Sequence, residues 1–139
     1  ERVGDHAVNI AGSALKLSEL PQLKPLVDIP RMADLALGML HESLDAFVGR
    51  DAEGARRLVR RDDEVDDLNR RVFRELLSYM LEDPATITRA MELILVARNL
   101  ERVADLATNV AEEVVFIAEA RIIKHHADES ASGEDLNRV

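Results

Sequence analysis

Three pairs of acidic residues share one spacing: Glu1 with Asp5, Asp62 with Asp66, and Glu101 with Asp105. Residues four apart on a helix project from the same face about one turn apart, so each pair offers its oxygens to a common space. Two such pairs on facing helices form a hard-oxygen donor set suited to Mg2+, Mn2+, Ca2+ or iron. Taken alone, the spacing is explained more simply by a solvated acidic face, with Arg98 and Arg102 as ion-pair partners of Glu101 and Asp105. Recurrence of the interval adds weight to a metal site. So does the place of Asp62, at the edge of an apolar stripe near Leu58, Val65 and Tyr79, where an unpaired carboxylate facing another helix is costly.

Other reactive residue types are sparse. Cysteine is absent, which excludes disulfides, cysteine-ligated zinc and a thiol nucleophile. His41 reads as a helix-face residue, and His125 and His126 point about 100° apart. No nucleophile is paired with a base and no glycine-rich phosphate loop occurs, so no enzymatic activity is expected. A carboxylate-bridged oxidase of the ferritin-like kind would need a Glu-x-x-His motif, which the sequence lacks.

The elements that must position these carboxylates follow from composition and periodicity. Of 139 residues, 18 are Lys or Arg and 27 Asp or Glu, a net charge of −9 that argues against binding nucleic acid. Hydrophobic residues make up 47% and aromatics 3%, while Gly and Pro total ten, so an aliphatic, helical core is expected. The longest apolar runs, such as Val114 to Ala118, fall far short of the ~20 residues of a membrane helix. Helices are predicted from about Glu1 to Leu20, from about Pro30 to Gly49, from Asp51 as cap to about Met80, and from Asp83-Pro84 to about Ile123. Residues 21–28 form a proline-containing linker, and residues 127–139 read as a flexible tail. The second helix carries Met32, Leu35, Ala36, Met39, Leu40, Ser43 and Phe47 at three-four spacing. The third carries Leu58, Val65, Leu68, Val72, Leu76 and Tyr79, with Asp66–Arg70 and Asp67–Arg71 as favourable pairs four apart. Short connections make the last three helices antiparallel neighbours, an all-α up-down bundle on which the first helix either lies as a fourth member or does not.

The chain also contains an internal repeat. Glu1-Arg2-Val3-Gly4-Asp5-His6-Ala7-Val8-Asn9-Ile10-Ala11 aligns without gaps on Glu101-Arg102-Val103-Ala104-Asp105-Leu106-Ala107-Thr108-Asn109-Val110-Ala111, with seven of eleven positions identical. Charged and amide positions match as well as apolar ones, so the offset of 100 residues marks a duplicated unit. Two helices precede the second copy and none precedes the first. The repeat therefore predicts roughly seventy further residues upstream of Glu1 in the native protein.

The run from Ala97 to Val114, with Asn99-Leu100-Glu101-Arg102-Val103-Ala104-Asp105, resembles the last-helix signature of the PhoU family, and Glu1 to Ala11, with Gly4-Asp5-His6, resembles its other copy. Asp62-Asp63-Glu64-Val65-Asp66-Asp67-Leu68 resembles the family's middle-helix motif. The resemblance implies a complete three-helix PhoU-like unit over residues 29–126, preceded by the last helix of another over residues 1–20. It implies metal ions, with iron, Mg, Mn and Zn all open, on Glu1, Asp5, Asp62, Asp66, Glu101 and Asp105. Position 6 is histidine in one copy and Leu106 in the other, so imidazole is not required in both. The resemblance further implies a cytoplasmic, dimeric regulator of phosphate uptake and phosphate-starvation signalling, contacting the ATPase of a phosphate ABC transporter and a phosphate-sensing histidine kinase. An alternative within the resemblance is a cytoplasmic regulatory domain attached to a membrane phosphate or ion transporter.

Overall fold

The computed structural model of the chain describes residues 1–24 and 26–134, with side chains through residue 120. Five helices follow in order: α1 Arg2–Ser18, α2 Asp28–Gly49, α3 Ala52–Val59, α4 Asp62–Glu82 and α5 Ile87–Glu134, with one 3-10 turn at Pro84–Thr86. No strand occurs among the described residues, as the composition predicts. Helix α5 is the spine on which α1, α2, α3 and α4 all pack.

The core is aliphatic. Met32, Ala36 and Met39 of α2, Leu58 of α3, and Val65, Leu68, Val72 and Leu76 of α4 meet a row on α5 that runs from Ala90 through Ala97 and Ala104 to Ala111 and Val114. Alanines at the centre of α5 let four neighbours approach one helix closely, while longer side chains from those neighbours fill the space. Phe47, placed in the stripe of α2 by its spacing, is instead 54% exposed; Phe73 and Phe116 also lie at the surface. Helix α1 does lie on the bundle, packing Val3, Ile10 and Leu17 against the core.

Two boundaries differ from the sequence reading. The predicted third helix is two helices, broken at Arg60–Arg61, where Arg61 N–H bonds to Leu58 O and Glu64 N–H to Arg61 O in i→i−3 fashion. The basic last turn of α3, with Arg56 and Arg57, and the acidic first turn of α4, with Asp62, Asp63 and Glu64, each suit the dipole end they occupy. Helix α5 continues past Ile123 to Glu134, because nothing from Lys124 onward removes a backbone donor or forces a turn before Gly133. The tail read over 127–139 thus overlaps the last turns of α5, and its residues 135–139 lie outside the described residues.

The connections are capped as their residue types dictate. Asp51 accepts a hydrogen bond from Gly54 N at 2.8 Å, and Asp83 accepts one from Ala85 N at 2.9 Å. Between α2 and α3 it is Arg50, with φ 53°, and not Gly49 that takes the left-handed turn. The linker is tied down: buried Lys24 pairs with Glu75 of α4, and Arg89 of α5 donates to Pro21 O at 3.2 Å.

Candidate metal centre

The antiparallel packing of α4 on α5 brings two of the three acidic pairs to one place. Each of Asp66, Glu101 and Asp105 offers a carboxylate oxygen, and the three oxygens lie within 4.8 Å of one another. Asp62, first residue of α4, stands one turn before Asp66 and accepts a hydrogen bond from the hydroxyl of buried Thr108 at 3.1 Å. All four acidic residues are partly buried.

Electrostatics mark the cluster as short of positive charge. Partial burial pushes the Asp66 carboxyl above its usual range, and the negative charge of Asp62 adds to the effect. Glu101 is raised by burial and then by Asp105; Asp105 is raised by burial and then by Asp62. The arginines expected to neutralise them do so weakly. Arg102 stays 3.8 Å from Asp105, and Arg70 turns to Asp67, three residues away, because Asp66 faces α5.

Oxygens bound to one cation at 2.0–2.6 Å are separated by no more than about twice that length, so the spread of the three carboxylates fits a single hard ion. The three carboxylates fill part of an octahedral shell and leave positions for water or another ligand, while Asp62 lies outside the group of three and acts on Asp66 and Asp105 through its charge. The donor set contains oxygen alone, which suits Mg2+, Mn2+, Ca2+ or iron better than a softer ion.

Glu1 and Asp5 are not part of this cluster. Both are exposed at the start of α1, where Glu1 occupies the N-cap position without a side-chain cap bond. Their neighbour His6 faces the Asn99 side-chain oxygen through Nδ1 at 2.9 Å, and Asn9 donates to the same oxygen at 3.2 Å, binding α1 to α5. Thr108 is the one member of the constellation that the spacing did not single out. Its signal was its place on the polar stripe of α5 beside Asp105.

A model of the PhoU domain matches residues 29–114. The chain belongs to the PhoU family. Among PhoU relatives, it is 46% identical over 125 residues to a phosphate-specific transport system accessory protein PhoU homolog of Aquifex aeolicus, covering 90% of this chain and 57% of that protein. A second PhoU homolog, from Thermotoga maritima, is 40% identical over 129 residues, covering 93% and 55%. The crystal structure of PhoU from Pseudomonas aeruginosa superposes with a TM-score of 0.82 at 36% identity, covering 86% of this chain and 58% of that one. The chain thus spans a little over half the length of the PhoU relatives it matches.

Proposed function

We propose that the chain is a non-enzymatic, cytoplasmic regulator of phosphate uptake and phosphate-starvation signalling that works by docking on protein partners. The partners are the ATPase of a phosphate ABC transporter and a phosphate-sensing histidine kinase, and the working unit is a homodimer. A divalent or iron ion on Asp62, Asp66, Glu101 and Asp105 sets the charge of the docking face. The observation that carries the metal reading is the convergence of Asp66, Glu101 and Asp105 within 4.8 Å, with Arg102 pairing only loosely with Asp105 at 3.8 Å. Family membership and the naming of the relatives as phosphate-transport accessory proteins support the phosphate-transport reading. No helix among the described residues is long and apolar enough to cross a membrane, which agrees with a partner that docks from outside the bilayer.

In physical terms, a bound cation would replace mutual repulsion among the carboxylates by attraction. It would also change the potential that a partner meets at the α4–α5 face. The test is elemental analysis of protein purified without added metal or chelator, beside the variant D62A/D66A/E101A/D105A, with ATPase and kinase binding measured on both. Metal is expected in the native chain and absent from the variant, with weakened partner binding. Unchanged metal content and unchanged binding would overturn the reading.

A further inference from the structure

On the same α4–α5 face, next to the carboxylates, lies a groove of about 650 Å³ lined by Arg70, Arg74, Arg98 and Arg102 together with Phe73 and Ile94. Glu101 is the acidic side chain that the groove shares with the carboxylate cluster. The arginines form two rows, 70 with 74 on α4 and 98 with 102 on α5. Like charges four apart on one helix repel, so both rows oppose the helices that carry them. The protein neutralises them incompletely. Arg70 pairs with Asp67 and Arg102 reaches Asp105 only at 3.8 Å, whereas Arg74 and Arg98 make no ion pair within 4.0 Å among the described residues and act on Asp67 and Glu101 only at longer range. Arg74 directs its Nε–H to the Arg70 backbone carbonyl at 3.4 Å.

This concentration of guanidinium groups occurs in a chain of net charge −9. A long polyanion would meet the overall negative field, but a compact anion inside the groove lies within a Debye length of the arginines and is drawn to them first. Guanidinium forks grip phosphoryl oxygens two at a time. Two rows of two exceed what one orthophosphate can engage and match an anion whose charge is spread over neighbouring groups. The groove volume also lies in the range of small-molecule sites.

The geometry points to a binding site for a small anion with two or more adjacent phosphoryl groups, gripped by Arg74 and Arg98 and flanked by Arg70 and Arg102. Such an anion comes either as inorganic pyrophosphate or as a nucleoside diphosphate. Phe73, half exposed beside the arginines, separates the two sources, because its ring offers a stacking face to a base and nothing to pyrophosphate.

Calorimetric titration of the chain with pyrophosphate and with ADP, in chelator at low salt, tests the assignment. Binding is expected for at least one of them, weakening as salt rises. R74A/R98A should reduce affinity at least tenfold with unchanged helicity and melting, since both side chains are exposed, and R74K/R98K should retain part of it. F73A lowers ADP affinity alone if the ligand is a nucleotide and leaves both titrations unchanged if it is inorganic; either outcome is consistent with the site. The assignment is overturned by absence of binding for both anions, by affinity indifferent to R74A/R98A, or by binding that appears only when Mg2+ replaces the chelator. The last result would place the anion on a metal at the carboxylates. Capture of an acidic helical peptide that neither anion displaces would likewise reassign the groove to a protein partner.

Discussion

Thr108 donates its hydroxyl to Asp62 at 3.1 Å, joining the first residue of α4 to the middle of α5 across 46 positions of sequence. The bond holds the carboxylate whose charge is felt by both Asp66 and Asp105. Thr108→Val keeps the shape and removes the donor, leaving a partly buried carboxylate short of a partner. Denaturant unfolding should show a loss of about 1–2 kcal/mol. If Asp62 helps to hold a metal, metal affinity should fall about 10–100-fold in the same variant. A variant as stable as the parent would remove Thr108 from the constellation.

The raised carboxyls of Asp66, Glu101 and Asp105 carry a pH signature. A group whose native pKa lies above its unfolded value binds more protons in the native state, so stability falls as pH rises from the unfolded pKa, about 4, through the native one. In chelator, D66N/E101Q/D105N should therefore melt higher than the parent at pH 7. The advantage should shrink as pH falls toward about 4. Melting curves across pH decide the matter, and a difference that does not vary with pH would count against mutual repulsion in the cluster.

Glu92 behaves in the opposite sense. It is buried in α5 and takes a 2.8 Å hydrogen bond from Lys16 of α1 on one oxygen, while its Oε2 is without a hydrogen bond among the described residues. The Lys16 ammonium, then the Ser13 hydroxyl, hold its carboxyl below the usual range. That stability is present above the unfolded pKa and is lost as pH falls through the native one. Lys16→Met should cost up to about 1 kcal/mol at neutral pH, because Lys16 is largely exposed, with the gap from the parent closing in acid. Adding Glu92→Leu should restore most of the loss, because no charge then remains buried. A double variant no more stable than Lys16→Met alone would contradict this account.

Arg50 sits at φ 53°, ψ 37° in the turn after α2, a conformation that favours glycine. Arg50→Gly should stabilise the fold by about 0.5–1 kcal/mol, whereas Arg50→Ala should bring no gain. Chemical denaturation of both variants checks the contrast. Equal effects would assign the change to the lost side chain and not to the backbone.

Much of the helical framework is readable locally. Apolar residues recur every three or four positions, and the Asp-Pro and Gly-Arg punctuation stands between periodic runs. The break between α3 and α4 escapes that signal because Leu58 and Val65 keep the helical spacing across it. Only the order of charges, Arg56-Arg57 and then Asp62-Asp63-Glu64, marks where one dipole ends and the next begins. Phe47 is misread by the same rule, since periodicity reports which residues share a helix face but not which faces find a neighbour.

Sequence alone determined most of the helical framework, the internal repeat, the family resemblance and the fact that each acidic pair shares a helix face, because all of these depend on neighbours along the chain. Which pairs meet was decided by tertiary packing. Glu1–Asp5, Asp62–Asp66 and Glu101–Asp105 have identical spacing, yet only Asp66 of the second pair and both members of the third gather within 4.8 Å, because alanines of α5 and the larger side chains of α4 set the rotation and approach of those two helices. The same packing also placed Thr108 against Asp62 and set Arg74 and Arg98 along one groove, relationships between residues too far apart in sequence for any local pattern to specify.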